Sequence, residues 1–104
     1  MNFKNNVSIM GGWNVADIQP CNLPQRVASA FTAVTEKLIG AMYEPLMYIG
    51  SQTVNGINYG VIAKQTVQFK GGAYEHVVVM TLNQKPGEAN EGEKYSLVDI
   101  TTII

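Results

Sequence analysis

The sequence predicts an α+β fold, with an antiparallel sheet of four to five strands wrapped around one α-helix. Three observations predict it. A single stretch in the first half of the chain repeats its apolar residues at helical spacing. The part after residue 40 alternates apolar and polar residues at strand spacing. Three groups of turn formers, Asn55-Gly56, Lys70-Gly71-Gly72 and the polar run 83–92, cut that part into four segments, each able to pair with the next. A helix with one apolar stripe and a sheet with one apolar face both become buried when they pack on each other.

The helix is expected over residues 23–39. Val27, Ala30, Phe31, Val34 and Leu38 fall at i, i+3, i+4, i+7 and i+11 and make one stripe. Asn22 fits an N-cap, Pro24 a first turn and Gly40 a stop. Strands follow over residues 42–51 and 57–68. In the second of these, Tyr59, Val61, Ala63, Val67 and Phe69 form the inward face, which Gln65 interrupts. A strand over 73–82 places His76, Val78, Met80 and Leu82 on one face. The last, over 93–102, places Tyr95 and Leu97 on one face and Val98 and Ile100 on the other.

The chain's 104 residues suit one domain. With 46% hydrophobic and only 14% charged residues, it has the apolar material to fold rather than stay disordered. A formal net charge of −1 and the absence of a basic run argue against nucleic acid as a partner. No apolar run approaches the ~18 residues of a membrane span. Cys21 is the single cysteine and forms no internal disulfide, which suits a reducing compartment. The first ten residues hold no apolar leader core, so a cytoplasmic setting is expected. Residues 1–12 are polar, end in two glycines and read as a flexible arm, ordered mainly when bound.

Little here suggests chemistry. One histidine and one cysteine fall short of a closed metal site, and no phosphate-binding glycine loop or dinucleotide fingerprint is present, so no cofactor is expected. Cys21, His76 and Asp99 contain the residue types of a nucleophilic triad. Cys21 lacks a recognisable local signature and His76 lies in an apolar strand, so a purely structural role is favoured for all three.

The informative stretch is Gln52-Thr53-Val54-Asn55-Gly56. Asn-Gly between two alternating segments is the strongest short hairpin signal, and a tight two-residue turn of that kind needs positive φ at both central positions. Val54 is then expected at the projecting, exposed tip, where it serves a partner better than a core.

These five residues fit the pattern Gln-x-Val-x-Gly and resemble the first inhibitory loop of the cystatins, reversible inhibitors of papain-like cysteine proteases. Gly56-Ile57-Asn58-Tyr59 is similar to the Gly-x-Asn-Tyr that follows this loop in stefins, the single-domain intracellular cystatins. Gly11-Gly12 stands where stefins carry their N-terminal glycine. Tyr74-Glu75-His76 before Val77-Val78-Val79 resembles the Tyr-x-His strand, and Pro86-Gly87 resembles the tip of the second hairpin loop.

The resemblance implies a cystatin-like fold, with a short extra strand before the helix that residues 14–18 can supply. It also implies a wedge, built from the arm and both loops, that occludes a protease cleft. Met10, Gly11 and Gly12 would line the non-primed side. Val54 would be the central apolar contact within the tip formed by Thr53, Val54, Asn55 and Gly56. Gln52 would support the turn by hydrogen bonds, and Pro86 and Gly87 would meet the primed side. The sequence departs from the pattern at Lys85, where leucine is usual, at Thr53 and Asn55, where small apolar residues are commoner, and in a longer spacing from His76 to Pro86. Weaker inhibition than the strongest cystatins is therefore expected. The alternative is a binding or structural module of the same fold without a protease target. A monomer is expected, with the Val54 turn as the natural hinge of any domain-swapped dimer. Trp13 is expected to be a packing anchor.

Overall fold

In a computed structural model, which describes residues 12–87 and 91–104, the elements run β1 (Trp13–Val15), α1 (Gln25–Thr35), β2 (Ala41–Val54), β3 (Gly56–Phe69), β4 (Gly72–Gln84), α2 (Glu91–Lys94) and β5 (Tyr95–Thr102). The five strands form one antiparallel sheet in the order β1-β2-β3-β4-β5. The α+β class is as the sequence predicts, with a single full-length helix laid on one sheet face. Among the described residues, no helix is long and apolar enough to cross a membrane.

Val27, Ala30, Phe31 and Val34 of α1 are buried, and Leu38 packs against the core's edge, so the whole predicted stripe points inward. The helix itself is shorter than periodicity suggests. Pro24 is its N-cap, and the Pro24 carbonyl accepts from the Val27 and Ala28 N–H groups at 3.0 and 2.9 Å. The Asn22 amide does not cap; it donates to Gln19 Oε1. Proline suits this entry because its fixed φ is ready for the helix. At the other end, the Thr35 hydroxyl donates to the Phe31 carbonyl at 2.8 Å, competing with the backbone ladder. The Lys37 and Leu38 N–H groups then close tighter i→i−3 turns, and Gly40, at φ +92°, reverses the chain into β2.

The opposing half of the core comes from Tyr48, Tyr59, Val61, Ala63, Val78, Met80, Leu82 and Tyr95. Tyr59, Val61 and Ala63 match the predicted inner face. Gln65 interrupts it at little cost, because its amide donates to the Tyr43 hydroxyl at 2.9 Å. Phe69 is a correction. It is largely exposed at the far end of the sheet and stacks on Tyr74 with ring centroids 4.7 Å apart.

β5 holds a second correction. Leu82 pairs with Leu97 but Thr81 pairs with Asp99, so Val98 is an extra residue in the ladder. This bulge reverses the alternation. Ile100 therefore joins Tyr95 and Leu97 against the core, while Val98 faces solvent. Leu46 and Ile49 are passed over in the same way in the β2–β3 ladder. Pro45 is tolerated in β2 because that stretch is an open edge, with β1 pairing only Gly50 to Gln52. The run 83–92, expected to be turn throughout, instead holds the end of β4 and the beginning of α2.

Leu82→Ala removes a fully buried side chain and is expected to cost about 2–5 kcal/mol in urea unfolding, whereas Ile39→Ala, at a 99% exposed position, is expected to stay within about 0.5 kcal/mol.

Candidate functional site

The strand register brings together one end of the sheet. Trp13 pairs with Gln52, Gln52 with Asn58, Asn58 with Asn83 and Asn83 with Ser96, a single row across all five strands. Just beyond this row lie Gly12, the turn around Asn55, and Pro86-Gly87. The parts of the predicted wedge that the structure describes therefore stand side by side, although they come from distant parts of the chain. Met10 and Gly11 lie outside the described residues.

The row is tied on both faces of the sheet. On the outer face the Asn58 amide donates to Gln52 Oε1 at 3.0 Å, and the Asn83 amide donates to Asn58 Oδ1 at 2.9 Å. This amide ladder links the stem of the first loop to the stem of the second. On the inner face the Tyr59 hydroxyl donates to Gln84 Oε1 at 2.7 Å. Tyr59 itself is held edge-on by Tyr48, with ring centroids 6.3 Å apart. Burial pushes the Tyr59 phenol above its ordinary pKa of 10.0, and the nearby Arg26 charge pulls it partly back.

The Gln52 side chain, expected to support the turn by hydrogen bonds, accepts one from the Asn58 amide. The cross-strand bonds of Asn83 and Gln84 are not expected from the sequence, nor is any role of Asn58 beyond the motif. A signal was available: Gln52 and Asn58 are equidistant from Asn55, so a hairpin centred there must pair them.

The first turn differs from the expected one. Val54 pairs directly with Gly56, leaving Asn55 alone at the apex. Gly56 has φ +97°, but Asn55 is not left-handed; among the described residues Cys21 is the only non-glycine with positive φ. The glycine is required twice over. A Cβ there would be strained by φ and would collide with the Gln84 carbonyl, with Pro86 Cδ 3.1 Å away. This close approach seats the first loop against the second. Val54 is half-buried rather than fully exposed, and the exposed residues of the tip are Thr53 and Asn55.

Pro86 and Gly87 are exposed, with Gly87 at φ +79°. They leave β4 directly instead of forming the tip of a tight hairpin. The longer connection is closed where the Lys85 N–H donates to the Lys94 carbonyl at 2.9 Å, after the chain has returned through α2. Trp13 lies over Gly60, and a Cβ at residue 60 would meet Trp13 and Ile49. It packs on the outer sheet face near these loops but stays 46% exposed and outside the core, so it is not the buried anchor expected.

Cys21, His76 and Asp99 are not brought together. Cys21 sits beside β2, where its N–H reaches the Leu46 carbonyl, whereas Asp99 lies on β5 at the other edge of the sheet. Its carboxylate accepts from the Thr101 hydroxyl at 2.7 Å. Among the described residues, no three His, Cys, Asp or Glu side chains group to hold a metal. A cleft of about 430 Å³ lies beside the chain between β1 and α1, lined by polar groups that include Asp17 and Arg26.

Comparison with protein-family models, with curated proteins and with solved structures found no match to this chain.

Gly56→Ala is expected to lower the unfolding midpoint measurably and to shift amide resonances of Gln84 and Lys85 as well as those of the first loop. Tyr59 should make stability fall at alkaline pH. Its pKa is higher folded than unfolded, so above pH 10.0 the unfolded chain sheds a proton that the native chain keeps, and stability declines until the native phenol also ionises. Tyr59→Phe is expected to flatten that decline in unfolding curves recorded on either side of pH 10.0, at the cost of about 0.5–1.5 kcal/mol for the lost hydrogen bond.

Proposed function

We propose that this chain is a stefin-like cystatin, a reversible, tight-binding inhibitor of papain-like cysteine proteases that blocks the active-site cleft without chemistry of its own. The observation that carries the proposal is the alignment, at one end of the sheet, of Gly12, the 53–56 loop and Pro86-Gly87. These are the elements that the cystatin resemblance assigns to the wedge. The short strand before the helix and a sheet packed on that helix also match what a cystatin-like fold implies. A cytoplasmic setting suits the one free, exposed cysteine.

Each residue type has a physical role in such a wedge. Glycines at 11 and 12 let the arm's backbone approach a cleft wall closely. Val54 supplies the central apolar contact, worth about 1.5–3 kcal/mol if fully buried. Gln52 keeps the turn in place from behind. Pro86 and Gly87 extend the contact to the primed side. The closed hairpin offers its apex without laying a scissile carbonyl on the catalytic thiolate, so the inhibitor is not cleaved. The ladder holds the loops in position before docking, which lowers the entropy lost on binding. Polar Thr53 and Asn55 at the apex reduce the apolar surface available and favour moderate affinity.

The deciding experiment is a steady-state inhibition assay against a panel of papain-like proteases. Measurable inhibition at micromolar concentration is expected. Val54→Asp should weaken it by about tenfold to a hundredfold, and deletion of residues 1–12 should weaken it independently. If no enzyme in the panel is inhibited, or if both changes leave inhibition untouched, a binding or structural module without a protease target becomes the better account.

A further inference from the structure

We infer that Asn55 is a built-in deamidation site, through which the first loop converts itself with time from a neutral to an anionic apex. Four observations lead there. Asn55-Gly56 is the only Asn-Gly pair in the chain. Asn55 is exposed, and among the described residues none hydrogen-bonds its side chain. The residue following it is a glycine, whose main-chain nitrogen no side chain shields. Finally, Asn55 is not in the left-handed region, so the turn geometry that usually favours asparagine does not demand one here.

The glycine, by contrast, is costly to exchange. Its positive φ and its close approach to the Gln84 carbonyl penalise any side chain. The fold thus fixes the reactive partner and leaves only residue 55 free to vary. The asparagines close by behave differently. Asn58 and Asn83 have their amides engaged in the ladder at 3.0 and 2.9 Å and are followed by Tyr59 and Gln84, whose side chains crowd the main-chain nitrogen.

The Gly56 main-chain nitrogen loses its proton to hydroxide and attacks Asn55 Cγ. A C–N bond forms, the bond to the amide nitrogen breaks, and ammonia leaves. Water then opens the five-membered imide at either carbonyl. One opening gives aspartate at residue 55, and the other gives isoaspartate. The sum consumes one water and releases one ammonia, with no change in oxidation state. Both products add a negative charge to a chain whose formal charge is already −1. Isoaspartate also routes the main chain through Cβ, adding an atom to the backbone between the paired residues Val54 and Gly56. On the inhibitor reading, which this consequence rests on, either product weakens docking of the apex.

The test is to hold the full-length protein at neutral to mildly alkaline pH and follow it by peptide mapping that separates aspartate from isoaspartate. Conversion at Asn55 is expected to outpace that at Asn58 and Asn83 several-fold, to rise with hydroxide concentration and to disappear in Asn55→Gln. Equal rates at all three asparagines, or an Asn55 intact in native protein while it converts in denaturant, would overturn the proposal. The mapping readout does not depend on the protein inhibiting any protease, so it stands or falls separately from the inhibitor reading. Parallel assays of fresh and aged protein read the consequence, a loss of inhibition that tracks conversion.

Discussion

The loop-bearing end of this molecule depends on cross-strand hydrogen bonding of side chains that are neither charged nor fully buried. Gln52, Asn58 and Asn83 form a ladder over three strands on one sheet face, and Tyr59 and Gln84 join two of them, β3 and β4, on the other. Each bond is worth only about 0.5–1.5 kcal/mol net. Their value lies in position. They sit at the last full row before the chain turns, so the stems of two separate loops share one rigid base. Gly56 completes the joint by letting the first loop touch Gln84 and Pro86 directly.

The rest of the sheet serves that base. The apolar stripe of α1 buries the inner face of β3, β4 and β5, which fixes the strands relative to one another. Extra residues at Leu46, Ile49 and Val98 bend β2 and β5 and bring each strand's apolar side chains back into phase with the helix. At the opposite end the Gln65 amide donates to the Tyr43 hydroxyl at 2.9 Å, joining β3 to β2. A Phe69–Tyr74 stack and an exposed Lys64–Glu75 pair at 3.7 Å join β3 to β4 there, and an exposed pair of that kind contributes little.

A pre-ordered edge changes how the composition of the tip is weighed. Val54, half-buried, offers less free apolar surface than a projecting residue, and Thr53 and Asn55 are the exposed residues of the tip. On the proposed inhibitor reading, such a tip would rely more on shape and on the small entropy lost when pre-formed parts dock than on apolar burial. It also leaves the apex sensitive to any added charge, since a carboxylate carried into a dry cleft is costly unless it is paired.

The sequence by itself determined the helix stripe at Val27, Ala30, Phe31 and Val34, the inner face at Tyr59, Val61, Ala63, Val78, Met80 and Leu82, and the hairpin at Asn55-Gly56. These are local patterns, set by the periods of helix and strand and by the freedom of glycine. The tertiary structure alone decided which way Ile100 faces, because a bulge at Val98 is a mismatch between two strands and cannot be read from either one. It alone decided that Val54 lies partly covered, that Asn55 need not be left-handed, and that Asn58 and Asn83 tie two loops together. Those features arise from partners that are far apart along the chain. Local periodicity carries no record of them, and only the register of the folded sheet sets them side by side.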